Sequence, residues 1–132
     1  MRLVLAACLV AMPAALQAQA PMTGDEFDAY TQGRTLTFSS GGVPYGIEQY
    51  LPNREVIWAF VGQECRRGKW FDNGGQICFT YEKDGALQCW IFRETEEGLS
   101  AQFQDGTGAG TELVEVEQSS EPLSCPGPDV GV

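Results

Sequence analysis

The stretch QICFTYEKDGALQCWIF, residues 76–92, decides the fold. Two runs rich in aromatic and β-branched side chains flank Lys83-Asp84-Gly85, which is hairpin turn chemistry. A four-residue loop from Glu82 to Gly85 sets Cys78 directly opposite Cys89. A loop one residue shorter would turn the two cysteines to opposite faces of the ribbon, because side chains alternate with a period of two.

The same punctuation continues on both sides of this hairpin. Upstream, RTLTFS (34–39) alternates, with Leu36 and Phe38 on one side, and the loop SSGGVPYG follows. Next come GIEQYL (46–51), closed by Pro52-Asn53, then EVIWAFV (55–61) and QECRRGKWF (63–71), closed by Asp72-Asn73-Gly74-Gly75. Downstream, LSAQFQ (99–104) and TELVEVE (111–117) complete a set of eight short strands with the hairpin pair 76–82 and 87–93. Turn signals every 8–14 residues predict an all-β antiparallel meander, barrel-like or strongly curved. The third and sixth strands are apolar on both faces, so one face of each needs a cover from the N-terminal helix or the C-terminal tail. The helix is predicted from Thr23-Gly24-Asp25-Glu26, a capping box, with Phe27 and Tyr30 on one face and Gly33 at its end.

Residues 1–20, MRLVLAACLVAMPAALQAQA, have one arginine, an apolar run and a small-residue end, the layout of a secretory signal peptide. The apolar run is shorter than the roughly 20 residues that span a bilayer. Cys8 falls too early for a lipoprotein signal and leaves with the leader. Residues 21–132 then form one small domain, periplasmic or secreted. It keeps Cys65, Cys78, Cys89 and Cys125, an even number in an exported chain, which implies disulfides. Of the three connectivities, hairpin register favours Cys78–Cys89 and leaves Cys65–Cys125 to pin the proline-rich tail.

Gly62-x-x-Cys65-x-x-Gly68-x-Trp70, then Ile77-Cys78-Phe79, then Cys89-Trp90, resembles a pattern in small secreted alphaproteobacterial proteins of unknown function. The resemblance covers residues 62–92 and implies a secreted or periplasmic β domain without supplying an activity. Gly68-Lys69-Trp70 is also a G-x-W triplet of the kind found in lipocalins, though there it sits near the start of the domain.

Composition excludes several chemistries. The absence of histidine removes Ser-His-Asp triads, Cys-His dyads and the common zinc hydrolase sites. No close cysteine pair offers a metal site, and no cofactor motif is present. Without the leader's Arg2, seven basic residues face 18 acidic ones, a net charge of −11, which argues against nucleic acid and anionic membranes as partners. Three of those seven, Arg66, Arg67 and Lys69, fall within four positions and form the candidate anion or partner contact. Arg67 and Lys69 share one strand face and Arg66 takes the other; Glu48, Glu55 and Glu64 are the available neutralising partners. The run Asp105 to Glu112 lacks the G-x-G-x-x-G order and any following helix, so it reads as a hairpin loop. Glu94, Glu96 and Glu97 read as a solvated turn. Trp58, Trp70 and Trp90 with Phe60, Phe71, Phe79 and Phe92 read as core, with one or two lining a pocket.

The expected function is a non-catalytic secreted or periplasmic binding or interaction domain for a protein or small-molecule ligand. It has no membrane insertion and is not an enzyme. The alternative is an enzyme inhibitor acting through an exposed loop, SSGGVPYG or DGTGAG. A ligand-binding barrel would hold an apolar cavity, whereas an inhibitor would have a solid core and a rigid protruding loop.

Overall fold

The computed structural model describes residues 19–107 and 110–125. A short helix α1 (Gly24–Thr31) precedes eight strands: β1 (Thr35–Ser40), β2 (Val43–Tyr50), β3 (Glu55–Phe60), β4 (Arg66–Asp72), β5 (Ile77–Tyr81), β6 (Asp84–Thr95), β7 (Gly98–Phe103) and β8 (Glu112–Ser119). Each strand pairs antiparallel with its sequence neighbours, and β1 pairs with β8, so the meander closes into a barrel without a free edge. The reading of residues 1–20 as an export signal falls outside the described residues apart from Gln19 and Ala20.

Up-and-down order gathers the connections into two rings. The β2–β3, β4–β5 and β6–β7 connections share one end with α1; the other four share the opposite end. Thr23 caps α1 as a capping box: its hydroxyl accepts from the Glu26 N–H, and the Glu26 carboxylate accepts from the Thr23 N–H at 3.1 Å. The helix does not cover the outside of the sheet, as the sequence suggested. It crosses the end of the barrel and drives Phe27, fully buried, into the interior. There the ring packs edge-on against Tyr50 (5.6 Å between centroids) and Trp70 (5.0 Å), and tilted against Phe92 (4.5 Å). An eight-stranded barrel is just wide enough for side chains to fill it, so one large ring is enough to plug an end. Arg54 ties the plug from outside, pairing with Asp25 of α1 and lying 4.5 Å over the Trp70 ring.

Two local details differ from the sequence reading. The segment SSGGVPYG is not a loop: β1 runs to Ser40, β2 starts at Val43, and only Gly41-Gly42 turns. The 76–92 hairpin also turns tighter than expected, because Tyr81 pairs with Asp84 across Glu82-Lys83. Between that pair and Phe79↔Gln88, β5 advances two residues and β6 four, so β6 carries two extra. An even number of extra residues restores the face, and Cys78 still lies opposite Cys89.

Both disulfides have the expected connectivity, Cys78–Cys89 within the hairpin and Cys65–Cys125 across a separation of 60 residues. The tail is anchored twice before it reaches Cys65. The Thr35 hydroxyl donates to the Glu121 carbonyl at 2.7 Å, and the Leu123 N–H donates to Gln49 Oε1 at 3.1 Å. It thus crosses the outer side of β2 and β3, where Ala59 is buried although it points away from the interior.

Candidate functional site

The GIEQYL alternation turns Gly46, Glu48 and Tyr50 inward, and all three are buried. Glu48 is therefore a carboxyl group inside an aromatic barrel, 4% exposed. Two phenols hold it. The Tyr81 hydroxyl donates to Glu48 Oε1 at 2.8 Å, and the Tyr50 hydroxyl donates to Oε2 at 3.2 Å. Gly68 allows the first of these bonds: a Cβ there would collide with the Thr80 carbonyl and the Tyr81 ring, which lies over β4 on its way to Glu48. Burial pushes the Glu48 carboxyl up to about 8, against the opposing pull of the bonds from Tyr81 and Tyr50. At neutral pH Glu48 holds its proton. Burial, and then the proximity of Glu48, raises the Tyr50 and Tyr81 hydroxyls well above the ordinary phenol range.

Glu48 lines a cavity of about 40 Å³ that lies toward the end opposite the Phe27 plug. Its walls are rings. Tyr45, Trp58 and Phe60 form a mutually packed group with centroids 5.4–6.0 Å apart. Phe79 and Tyr81 lie parallel and offset, with centroids 6.1 Å apart, and Trp90 closes the side provided by β6. Gly46 permits the Trp58 position, since a Cβ would strike the indole. Gln88 and Arg66 also line the cavity. The Arg66 guanidinium lies 5.9 Å from the Phe60 centroid and 3.8 Å from an Asp84 oxygen.

The basic triplet divides as strand alternation requires. Arg66 faces the cavity, while Arg67 and Lys69 line a separate surface groove with Glu55 and Glu82. The structure does not bring the three cations to one point. Glu94, Glu96 and Glu97 are exposed at the β6–β7 turn, on the plugged end and remote from the cavity. In the glycine-rich loop, Asp105 accepts from the Thr107 N–H and hydroxyl; Gly108 and Ala109 lie outside the described residues. Trp58 and Trp90 are the tryptophans that line the cavity; Trp70 belongs to the plug. Phe71, expected in the core, is 42% exposed because it sits on the outer face of β4. Among the described residues no cluster of three or more His, Cys, Asp or Glu side chains is placed to hold a metal.

Glu48 is the residue that sequence reasoning missed as a site. Its signal was present, since it alternates with Gly46 and Tyr50 on the face that must enter the core. A second buried carboxylate, Glu115, has a structural task. Its Oε2 accepts from the Leu99 N–H and the Tyr30 hydroxyl, each at 2.8 Å, which fastens α1 to β7 and β8. Burial, followed by the bond to Glu115, raises the Tyr30 phenol to about 12.

Comparison with known proteins finds no matching family model, curated relative or solved structure.

Proposed function

We propose that this protein is a non-catalytic, exported binding domain that takes the small end group of a ligand into the aromatic cavity of its barrel. One observation carries this reading. The barrel is plugged at one end by Phe27 and keeps, toward the other, a ring-lined cavity with a single buried carboxyl at its floor. Cavities lined by rings with a few placed polar groups are the usual form of small-molecule sites. The volume limits the occupant. At about 40 Å³ the cavity exceeds the roughly 10–15 Å³ that a single water needs, and it is compact. That suits a compact head group and not a drug-sized molecule, which takes at least about 300 Å³.

The inhibitor alternative is weaker than the sequence suggested, since the first of its two candidate loops is a two-residue turn between paired strands. The signal-like layout of residues 1–20 supports export, and two disulfides agree with it. The test is titration of the oxidised protein with a neutral compact alcohol, 3,3-dimethylbutan-1-ol, monitored by the indole N–H resonances. Shifts at Trp58 and Trp90, with Trp70 unmoved, are expected. Shifts spread evenly over the surface, or none with any small probe, would overturn the reading.

A further inference from the structure

We infer that the head group this cavity selects is an organic cation, of the substituted-ammonium class, held by the rings of Tyr45, Trp58, Phe60 and Trp90 with Glu48 beneath them as its counter-ion. The inference rests on the binding reading above and deepens it.

Three independent observations converge. The first is the wall. Aromatic faces carry negative potential and attract cations, and the gain is largest where water is excluded. The rings here line a space of about 40 Å³. The second is the floor. A carboxyl group buried among rings is expensive to keep, and its two tyrosine donors supply hydrogen bonds but no positive charge. Among the described residues Arg66 is the one cation that lines the cavity, and it pairs with Asp84, not with Glu48. The third is the molecule as a whole. Its acidic excess attracts cations to the protein and disfavours anions.

Arg66 then has a role that its place in the basic triplet did not suggest. Its guanidinium already leans toward the Phe60 ring at the rim of the cavity. It lines the same cavity and would compete with a bound cation for the Phe60 ring, with Asp84 as its alternative partner.

The groups that face Glu48 fix the pH behaviour. These are Tyr50 on its own strand, Tyr81 from β5, and Tyr45 and Arg66 at the cavity wall; Leu36 and Trp58 are its apolar strand neighbours. Glu48 has its midpoint raised to about 8, so its charge changes between pH 6 and 9. A bound cation favours the ionised carboxylate, so binding releases a proton at neutral pH and strengthens as pH rises.

The test compares choline with its neutral isostere 3,3-dimethylbutan-1-ol on the oxidised protein by calorimetry and indole N–H shifts. Choline is expected to bind at least about tenfold tighter, since a desolvated cation–ring contact is worth about that factor. Its affinity should rise from pH 6 to pH 9 while that of the alcohol stays flat. Glu48→Gln should remove the pH dependence and reduce the choline preference to what the rings alone supply, but spare alcohol binding. Arg66→Gln should tighten choline binding by about threefold, the scale of a half-exposed charge contact. Equal or tighter binding of the alcohol would overturn the cation inference and leave the binding reading standing. Weaker choline binding in Arg66→Gln would show that Arg66 is the recognition group, and would overturn it too. Binding of neither probe would overturn both. The native pH profile decides the matter even if Glu48→Gln does not fold.

Discussion

Across the inside of the barrel, the Tyr81 hydroxyl donates to Glu48 Oε1 at 2.8 Å. The two residues are 33 positions apart and on strands that are not neighbours, β2 and β5. Only closure of the sheet brings them together.

The first prediction follows from the Glu48 titration. Its folded value is raised from 4.5 to about 8, so the folded state holds a proton that the unfolded chain has released. The contribution is fully present below the unfolded value and is lost as pH rises through the folded one. Between these limits stability should fall by about 1.4 kcal/mol per pH unit on account of this group. Chemical denaturation of wild type and Glu48→Gln at pH 5, 7 and 9 isolates it. The variant should gain on wild type as pH rises to about 8; a constant difference would show that Glu48 is ionised throughout.

Tyr81→Phe removes a donor from a buried acceptor. It should cost about 1–3 kcal/mol, and more at pH 9, where the carboxylate is charged. Because the Tyr81 bond lowers the Glu48 value, its loss should move the pH-dependent part of the stability curve upward. Denaturant midpoints across the same pH series check both effects.

Phe27→Ala should destabilise the protein by about 3–5 kcal/mol, the usual cost of emptying a buried ring site. The helix that carries the ring keeps its capping box and its link from Tyr30 to Glu115, so α1 should stay helical. A thermal melt tests the cost. A change below about 1 kcal/mol would mean that the plug contributes little to closing the barrel.

The third and sixth strands carry apolar side chains on both faces, and the sequence could say only that something must cover them. It could not say that α1 would instead close the end of the barrel, because that depends on where β1 and β2 finish in space. Strand order, the disulfide partners and the division of Arg66 from Arg67 and Lys69 were legible, since they follow from alternation and turn spacing. Glu48 was hidden for the opposite reason. Eighteen carboxylates make any single one unremarkable in a list, and its importance comes from Tyr81, which is local to it only in the closed barrel. The extra pair of residues in β6 was also invisible, because a four-residue loop and a two-residue turn with a two-residue bulge give the same cysteine register.

The two disulfides should differ in their effect. Cys65–Cys125 closes a separation of 60 residues and Cys78–Cys89 one of 11. In the chain-entropy model these are worth about 4 and about 3 kcal/mol. The tail over β2 and β3 adds to the first. The Cys65→Ala/Cys125→Ala double variant should therefore melt lower than Cys78→Ala/Cys89→Ala. The reverse order would mean that the packing of the fully buried Cys78 outweighs loop closure and tail cover.

The central claim is that Glu48 is a neutral carboxyl at neutral pH, waiting at the floor of an aromatic cavity for a positive charge. A ¹³C NMR titration of the Glu48 side-chain carboxyl, in free and choline-saturated protein, tests it most directly. The expected midpoint is about 8 in the free protein, moving clearly lower with choline bound. A midpoint near the ordinary 4.5 in the free protein, or one that choline leaves in place, would contradict the account.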